Sequence, residues 1–132
     1  MNSIERFPLV GLAQGMVLVV GDFYSNGWRM RTILLLDTGS SITTLTPQAI
    51  RRLGFDPQKP HMVRRTHIWG GTREVPVLVM PRVRVFGQDV SDLEVACGDL
   101  PPTLKIDGVL GLNFLRHFDL RINFREEYLE LR

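Results

Sequence analysis

One cysteine, Cys97, is the chain's whole supply of thiol. A lone thiol forms no internal disulfide, so nothing in the sequence requires an oxidising compartment. Cys97 closes the apolar run Leu93-Glu94-Val95-Ala96-Cys97, where it reads as a small core residue and not as an activated nucleophile. Long hydrophobic runs are lacking too. A spanning helix needs roughly 18 to 20 apolar residues, and residues 7–20, although apolar-rich, are broken by Pro8, Gly11, Gln14 and Gly15. The same stretch lacks the clean apolar segment and small-residue cleavage site of a secretory signal. The reading is of a chain without membrane contact of its own and of intracellular location, unless it is excised from a longer, anchored protein.

Charge of one sign is equally scarce. The 16 basic and 14 acidic residues leave a formal net charge of +2, too balanced to make nucleic acid an expected partner. The arginines are scattered, with small clusters at Arg64-Arg65 and Arg82/Arg84 that read as solvated strand faces or loops. His61, His67 and His117 are dispersed and offer no close ligand pair, so no metal is expected. Ser40 and Ser41 lack the flanking glycines of a nucleophile elbow, and the glycines fit neither phosphate-binding fingerprint, so no cofactor is expected. Internal repeats and low-complexity segments are missing as well.

What is present describes one ordinary domain. At 132 residues, 44% of them hydrophobic and 23% charged, the chain is long enough to bury a core without covalent staples. Residues 1–15 carry no period and read as an N-terminal arm with room for one short strand; 16–132 form the domain. Met16–Val20 is β-branched and apolar, hence a strand. Asn26-Gly27 predicts a tight hairpin turn, with Trp28–Leu36 as the return strand. Ile42–Leu45 reads as a short strand. Thr46-Pro47 opens a helix that Gly54 closes, with a cap, a first-turn proline and a terminal glycine in order.

Residues 61–80 then form a long hairpin around Gly70-Gly71, and Arg82–Phe86 and Val90–Cys97 pair about a turn at Gly87-Gln88-Asp89. A loop with Pro101-Pro102 precedes a strand at Val109-Leu110-Gly111 and a short helix over Asn113–Phe118. A last hairpin joins Phe118–Phe124 to Tyr128–Leu131. The fold class is mainly β with one or two short helices.

One stretch stands apart: Ile33-Leu34-Leu35-Leu36-Asp37-Thr38-Gly39-Ser40-Ser41. Four apolar residues without helical period make a buried strand, and it delivers a carboxylate to a point where the chain must turn. Gly39 admits close backbone approach, and Thr38 and Ser40 set hydroxyls beside the acid. A carboxylate at the end of an apolar strand needs such donors, because an unpaired buried charge is costly. On local pattern alone two readings stay open, an ordinary Asx turn and a reactive carboxylate in a cleft.

The apolar run with Asp37-Thr38-Gly39-Ser40 resembles the active-site segment of the aspartic proteases. Downstream, Gly108-Val109-Leu110-Gly111-Leu112-Asn113-Phe114-Leu115 resembles the apolar-apolar-Gly segment and following short helix of the single-lobe, retroviral-type (retropepsin-like) members. The likeness spans roughly residues 30–132. It implies a single-lobe β-barrel with Asp37 catalytic, the turn supported by Thr38, Gly39 and Ser40, and Val109, Leu110 and Gly111 behind the site. It also implies a flap over the substrate, with Ile68, Trp69, Gly70 and Gly71 at its tip.

Aspartic protease chemistry uses two carboxylates that share a proton, because like charges a few ångströms apart do not both ionise easily. The chain has a single Asp-Thr-Gly, and Asp107-Gly108 lacks both the hydroxyl residue and the apolar run. The resemblance therefore implies a homodimer that pairs Asp37 with Asp37′ across a two-fold axis, the Thr38 hydroxyls cross-bracing the turns, and an extended polypeptide as substrate. Retroviral members also build an inter-subunit sheet from their chain termini, whereas this chain carries an extra N-terminal portion. Two alternatives stand beside the endopeptidase: a non-proteolytic dimerisation or peptide-binding module on the same fold, and an unrelated small β-barrel with an Asx turn at Asp37.

Overall fold

Asn26 and Gly27 both lie in the left-handed region, at φ 49° and 79°, the geometry of a two-residue hairpin turn whose twist matches its strands. A computed structural model describes residues 4–68 and 71–132, and of residues 67 and 68 the backbone alone. In chain order the strands are β1 (Phe7–Pro8), β2 (Leu18–Ser25), β3 (Trp28–Leu36), β4 (Thr43–Leu45), β5 (Met62–Ile68), β6 (Gly71–Val85), β7 (Gln88–Cys97), β8 (Gly108–Leu110), β9 (Leu120–Asn123) and β10 (Tyr128–Leu131). Helix α1 (Pro47–Arg52) follows β4, and α2 (Leu112–Leu115) follows β8.

Six of these strands close on themselves. β2 pairs with β3, β3 runs parallel to β8, β8 meets β4, β4 runs parallel to β7, and β7 pairs with β6. β6 returns to β2 from Gly21↔Val85 to Tyr24↔Arg82. Closure removes the open edges that an isolated sheet would expose. β5 stands outside the ring, paired with β6 alone among the described strands. The core fills with alternate residues of each strand, as a half-buried sheet requires: Val19, Phe23, Leu34, Leu45, Leu78, Met80, Val83, Leu93 and Leu110 are buried together. α1 seals one end with Ala49 and Ile50. Its cap is the predicted one, Thr46 Oγ1 accepting from Ala49 N–H at 3.2 Å.

Several boundaries differ from the sequence reading, each for a tertiary reason. β2 runs to Ser25 because the hairpin register carries it to the turn. The stretch read as two strands around Pro81 is the single strand β6. Pro81 is accommodated because it falls where the strand changes neighbours: β5 pairs up to Val77 and β2 begins at Arg82. On its other edge the ladder skips from Met80↔Leu93 to Arg82↔Ser91, and Asp92, opposite the proline, takes φ 53°. A residue without an N–H belongs at such an interruption. The next turn is Phe86-Gly87, at φ 48° and 78°, one residue earlier than predicted. An aromatic residue in that region is costly, and the Phe86 ring stacks on Phe7 with centroids 4.2 Å apart. α2 is four residues long, shorter than the helix read over 113–118.

The arm joins the other end of the chain. β1 pairs with Tyr128 and Leu129 of β10, giving a small sheet in the order β1-β10-β9, and Leu9 N–H donates to Glu127 O at 3.0 Å. Arg6 lies over the Tyr128 ring and donates to Glu130 at 3.0 Å; the Glu130 side chain is only 7% exposed. A carboxylate so covered depends on its partner. Arg6→Ala is expected to cost about 1–2 kcal/mol, the scale of a charged hydrogen bond with one exposed member. Urea unfolding should show a lower midpoint, and the Leu9 amide should exchange faster.

Candidate active site

Asp37 is positioned by two neighbouring chain turns. Leu36 and Leu110 lie side by side in the parallel β3–β8 pair. Asp37 N–H donates to Leu110 O at 3.0 Å, and Leu112 N–H to Ser40 O at 2.8 Å. Gly111 stands at the point of closest approach: a Cβ there would lie 2.7 Å from the backbone carbon and oxygen of Ile42. Val109 and Leu110 are buried behind the turn. The Asx turn weighed from the sequence is present, since Gly39 N–H donates to Asp37 Oδ1 at 2.8 Å. Ser40 N–H closes on Asp37 O at 3.2 Å. The hydroxyls are arranged differently from expectation: Ser40 Oγ donates to Ile42 O at 2.9 Å, away from the carboxylate, and Thr38 is exposed at the tip with Gly39. Asp37 itself is half-buried.

Two residues that the sequence did not single out tie this loop to the barrel. The buried Thr43 hydroxyl accepts from Gly111 N–H at 3.1 Å and donates to Asn113 Oδ1 at 2.8 Å. The same Asn113 oxygen accepts from Thr43 N–H at 2.8 Å, while its amide nitrogen donates to Glu94 O at 2.7 Å. The partners lie some seventy residues apart in the chain, so no local pattern marks them. Asp107, read as unsuited to a second catalytic role, accepts from Ile33 N–H and pairs with Arg52 of α1.

Asp37 opens onto a cleft of about 950 Å³. Its floor is Gly39, Ser40 and Ile42, and its roof is the β5–β6 hairpin through Arg65, Thr66, Arg73 and Val75. A second hollow of about 520 Å³ continues past Ile42, Thr66 and Val75 toward Asn113 and His117. Of the predicted flap residues, Trp69, Gly70 and the side chain of Ile68 lie outside the described residues; Gly71 begins β6 opposite Ile68. Arg64, read as part of a solvated face, grips Glu94 of β7 through two bonds of 2.7 and 3.0 Å. That bond holds the Glu94 carboxyl below its ordinary range and raises the guanidinium. Cys97, 8% exposed, borders the cleft, and burial pushes its thiol up, away from the thiolate that reacts. His61 Nδ1 accepts from Val79 N–H at 2.9 Å, a structural role.

A family profile described as Aspartyl protease matches residues 22–114, which take in the Asp37 turn, the β5–β6 hairpin and Gly111. A crystal structure of a retropepsin-like aspartic protease from Rickettsia conorii superimposes with a TM-score of 0.70, over 99% of this chain and 93% of that one, at 20% identity. At that identity the likeness establishes the retropepsin-like fold. Comparison with curated proteins returns no match.

Two outcomes test the local geometry. Thr43→Val keeps the side chain's shape but strands a buried N–H, so a loss of about 1–3 kcal/mol is expected by denaturant titration. The Arg64–Glu94 pair acts with a defined sign. Because the folded carboxyl is depressed, its contribution is complete above the ordinary glutamate range and is lost as pH falls through the lowered value. The stability gap between the wild type and Arg64→Gln should therefore be constant near neutrality and close on acidification.

Proposed function

Because this chain belongs to the aspartyl protease family, we propose that it is a retropepsin-like endopeptidase whose active form is a homodimer pairing Asp37 with Asp37′. The observation that carries the reading is the Asp37 carboxylate held by Gly39 N–H at 2.8 Å at the edge of a cleft of about 950 Å³. One carboxylate takes a proton from water, and the other gives its proton to the scissile carbonyl oxygen. A single chain supplies one such turn, so the partner supplies the second. The exposed tip at Thr38 and Gly39 supports a partner here, as does Leu112, 42% exposed on the segment bonded to Ser40. Thr38 then braces its counterpart across the axis, and the β5–β6 hairpin serves as the flap, with Ile68, Trp69, Gly70 and Gly71 at its tip. An extended polypeptide lying beneath it gains strand-like backbone bonds.

The test is cleavage of a peptide library by the wild type and by Asp37→Asn, at protein concentrations where sedimentation shows dimer. Cleavage should vanish in the variant, and specific activity should rise with total protein concentration through the dimerisation midpoint. A demonstrated dimer that cleaves nothing would instead make the chain a peptide-binding or dimerisation module.

A further inference from the structure

The β5–β6 register decides which arginine faces the cleft. Thr66 lies opposite Arg73 and Arg64 opposite Val75, and side chains alternate along a strand. Arg64, Thr66, Arg73, Val75 and Val77 therefore share one face of the hairpin. Thr66, Arg73 and Val75 of that face line the cleft with Asp37, whereas Leu78 and Met80, of the other parity, fill the barrel core, so the Arg73 face is the one turned over the Asp37 turn. Of its two cations, Arg64 is paired with Glu94 through two bonds. Arg73 has no ion-pair partner among the described residues, yet it lines the cleft with Asp37. Arg65 also borders the cleft, from the opposite strand face, and its contact with Glu74 is long, at 3.8 Å, with both side chains about 70% exposed. The carboxylates lining the cleft are Asp37 and Asp99. The remaining wall is small or apolar, with Ile42, Val75 and Ala96 among its residues.

A planar guanidinium without an ion-pair partner in a cleft is matched by a carboxylate, which it binds through two parallel bonds. We infer that Arg73 forms a specificity subsite for an acidic side chain of the substrate, so that the preferred polypeptide carries Glu or Asp close to the bond to be cut. The inference rests on the proposed peptidase reading for the place of the cleft in catalysis. In a two-fold dimer the subsite occurs twice, once on each side of the catalytic centre. Arg65 adds to the positive field at the roof, and Asp99, which also lines the cleft, disfavours a second acid beside it.

Binding and cleavage are measured separately. The probes are short peptides of one apolar sequence carrying Glu, Gln or Lys at successive positions. Their binding to dimeric Asp37→Asn is read by fluorescence polarisation at low and high salt, and their cleavage is read with the active protein. The Glu peptide should bind about tenfold tighter than its Gln counterpart at one position, the scale of a charged hydrogen bond, and salt should narrow the difference. In the Asp37→Asn background, Arg73→Gln should erase the preference and Arg73→Glu should turn it toward Lys. With Asp37 intact, kcat/KM should follow the same order.

Equal binding of Glu and Gln peptides would overturn the inference, as would a Lys preference in the unaltered cleft, which would assign selectivity to Asp99. Uniform loss of cleavage for all peptides in Arg73→Glu, with binding preference unmoved, would also overturn it. Intact Glu-selective binding without cleavage by the wild type would sink only the peptidase reading and leave the subsite standing.

Discussion

The approach of two chain turns, Asp37–Ser41 and Leu110–Leu112, is the constraint on which the open end of this barrel depends. Each turn satisfies the other's backbone, through Asp37 N–H on Leu110 O and Leu112 N–H on Ser40 O. Their closeness leaves no room for a side chain at Gly111. Backbone groups at the ends of buried strands must find partners. Here those partners also fix where the carboxylate points, so the same contacts that finish β3 and β8 orient Asp37. The Thr43 hydroxyl and the Asn113 amide carry this arrangement into β4, α2 and β7. A polar network of this kind, fully paired and partly buried, holds a unique geometry better than apolar packing alone.

Above the turn the structure is less constrained. β5 lies outside the closed ring and leans on β6, and one bidentate pair, Arg64–Glu94, ties it to β7. Rigid floor and lightly held roof follow from the topology, since a ring of six strands has no free edge while an appended strand has one. The chemistry divides in the same way. The floor presents one carboxylate, a backbone N–H and small residues. The roof presents side chains at alternating positions, where one substitution changes the charge above the cleft without disturbing the barrel.

The parts of this arrangement legible in the sequence were those set by neighbours along the chain. The apolar run into Asp37-Thr38-Gly39 marked both the strand and the acid. Asn26-Gly27 marked a hairpin whose turn angles are those observed, and Thr46-Pro47 marked a helix start with its cap. Interruptions and partners from afar were not legible. Pro81 looked like a strand break because local rules cannot see that β6 exchanges β5 for β2 at that point. Phe86 looked like a strand residue because its cost in the left-handed region is offset by Phe7, far away in sequence. Thr43 and Asn113 looked unremarkable until folding set them against Gly111. Arg64-Arg65 read as one solvated pair, although strand alternation sends the two side chains to opposite faces and gives Arg64 its partner on β7.

The small terminal sheet bears on how two such chains would meet. β1 occupies the β10 edge at Tyr128 and Leu129 from within the same chain, fastened by Arg6 on Glu130 and by Phe7 on Phe86. That stretch of edge is therefore already paired within the chain. In the proposed dimer the exposed Thr38–Gly39 tip and Leu112 supply contact beside the paired Asp37 turns. If the proposed dimer meets through the Asp37 loop, assembly and chemistry are coupled: whatever shifts the turn weakens the dimer, and whatever weakens the dimer removes the second carboxylate.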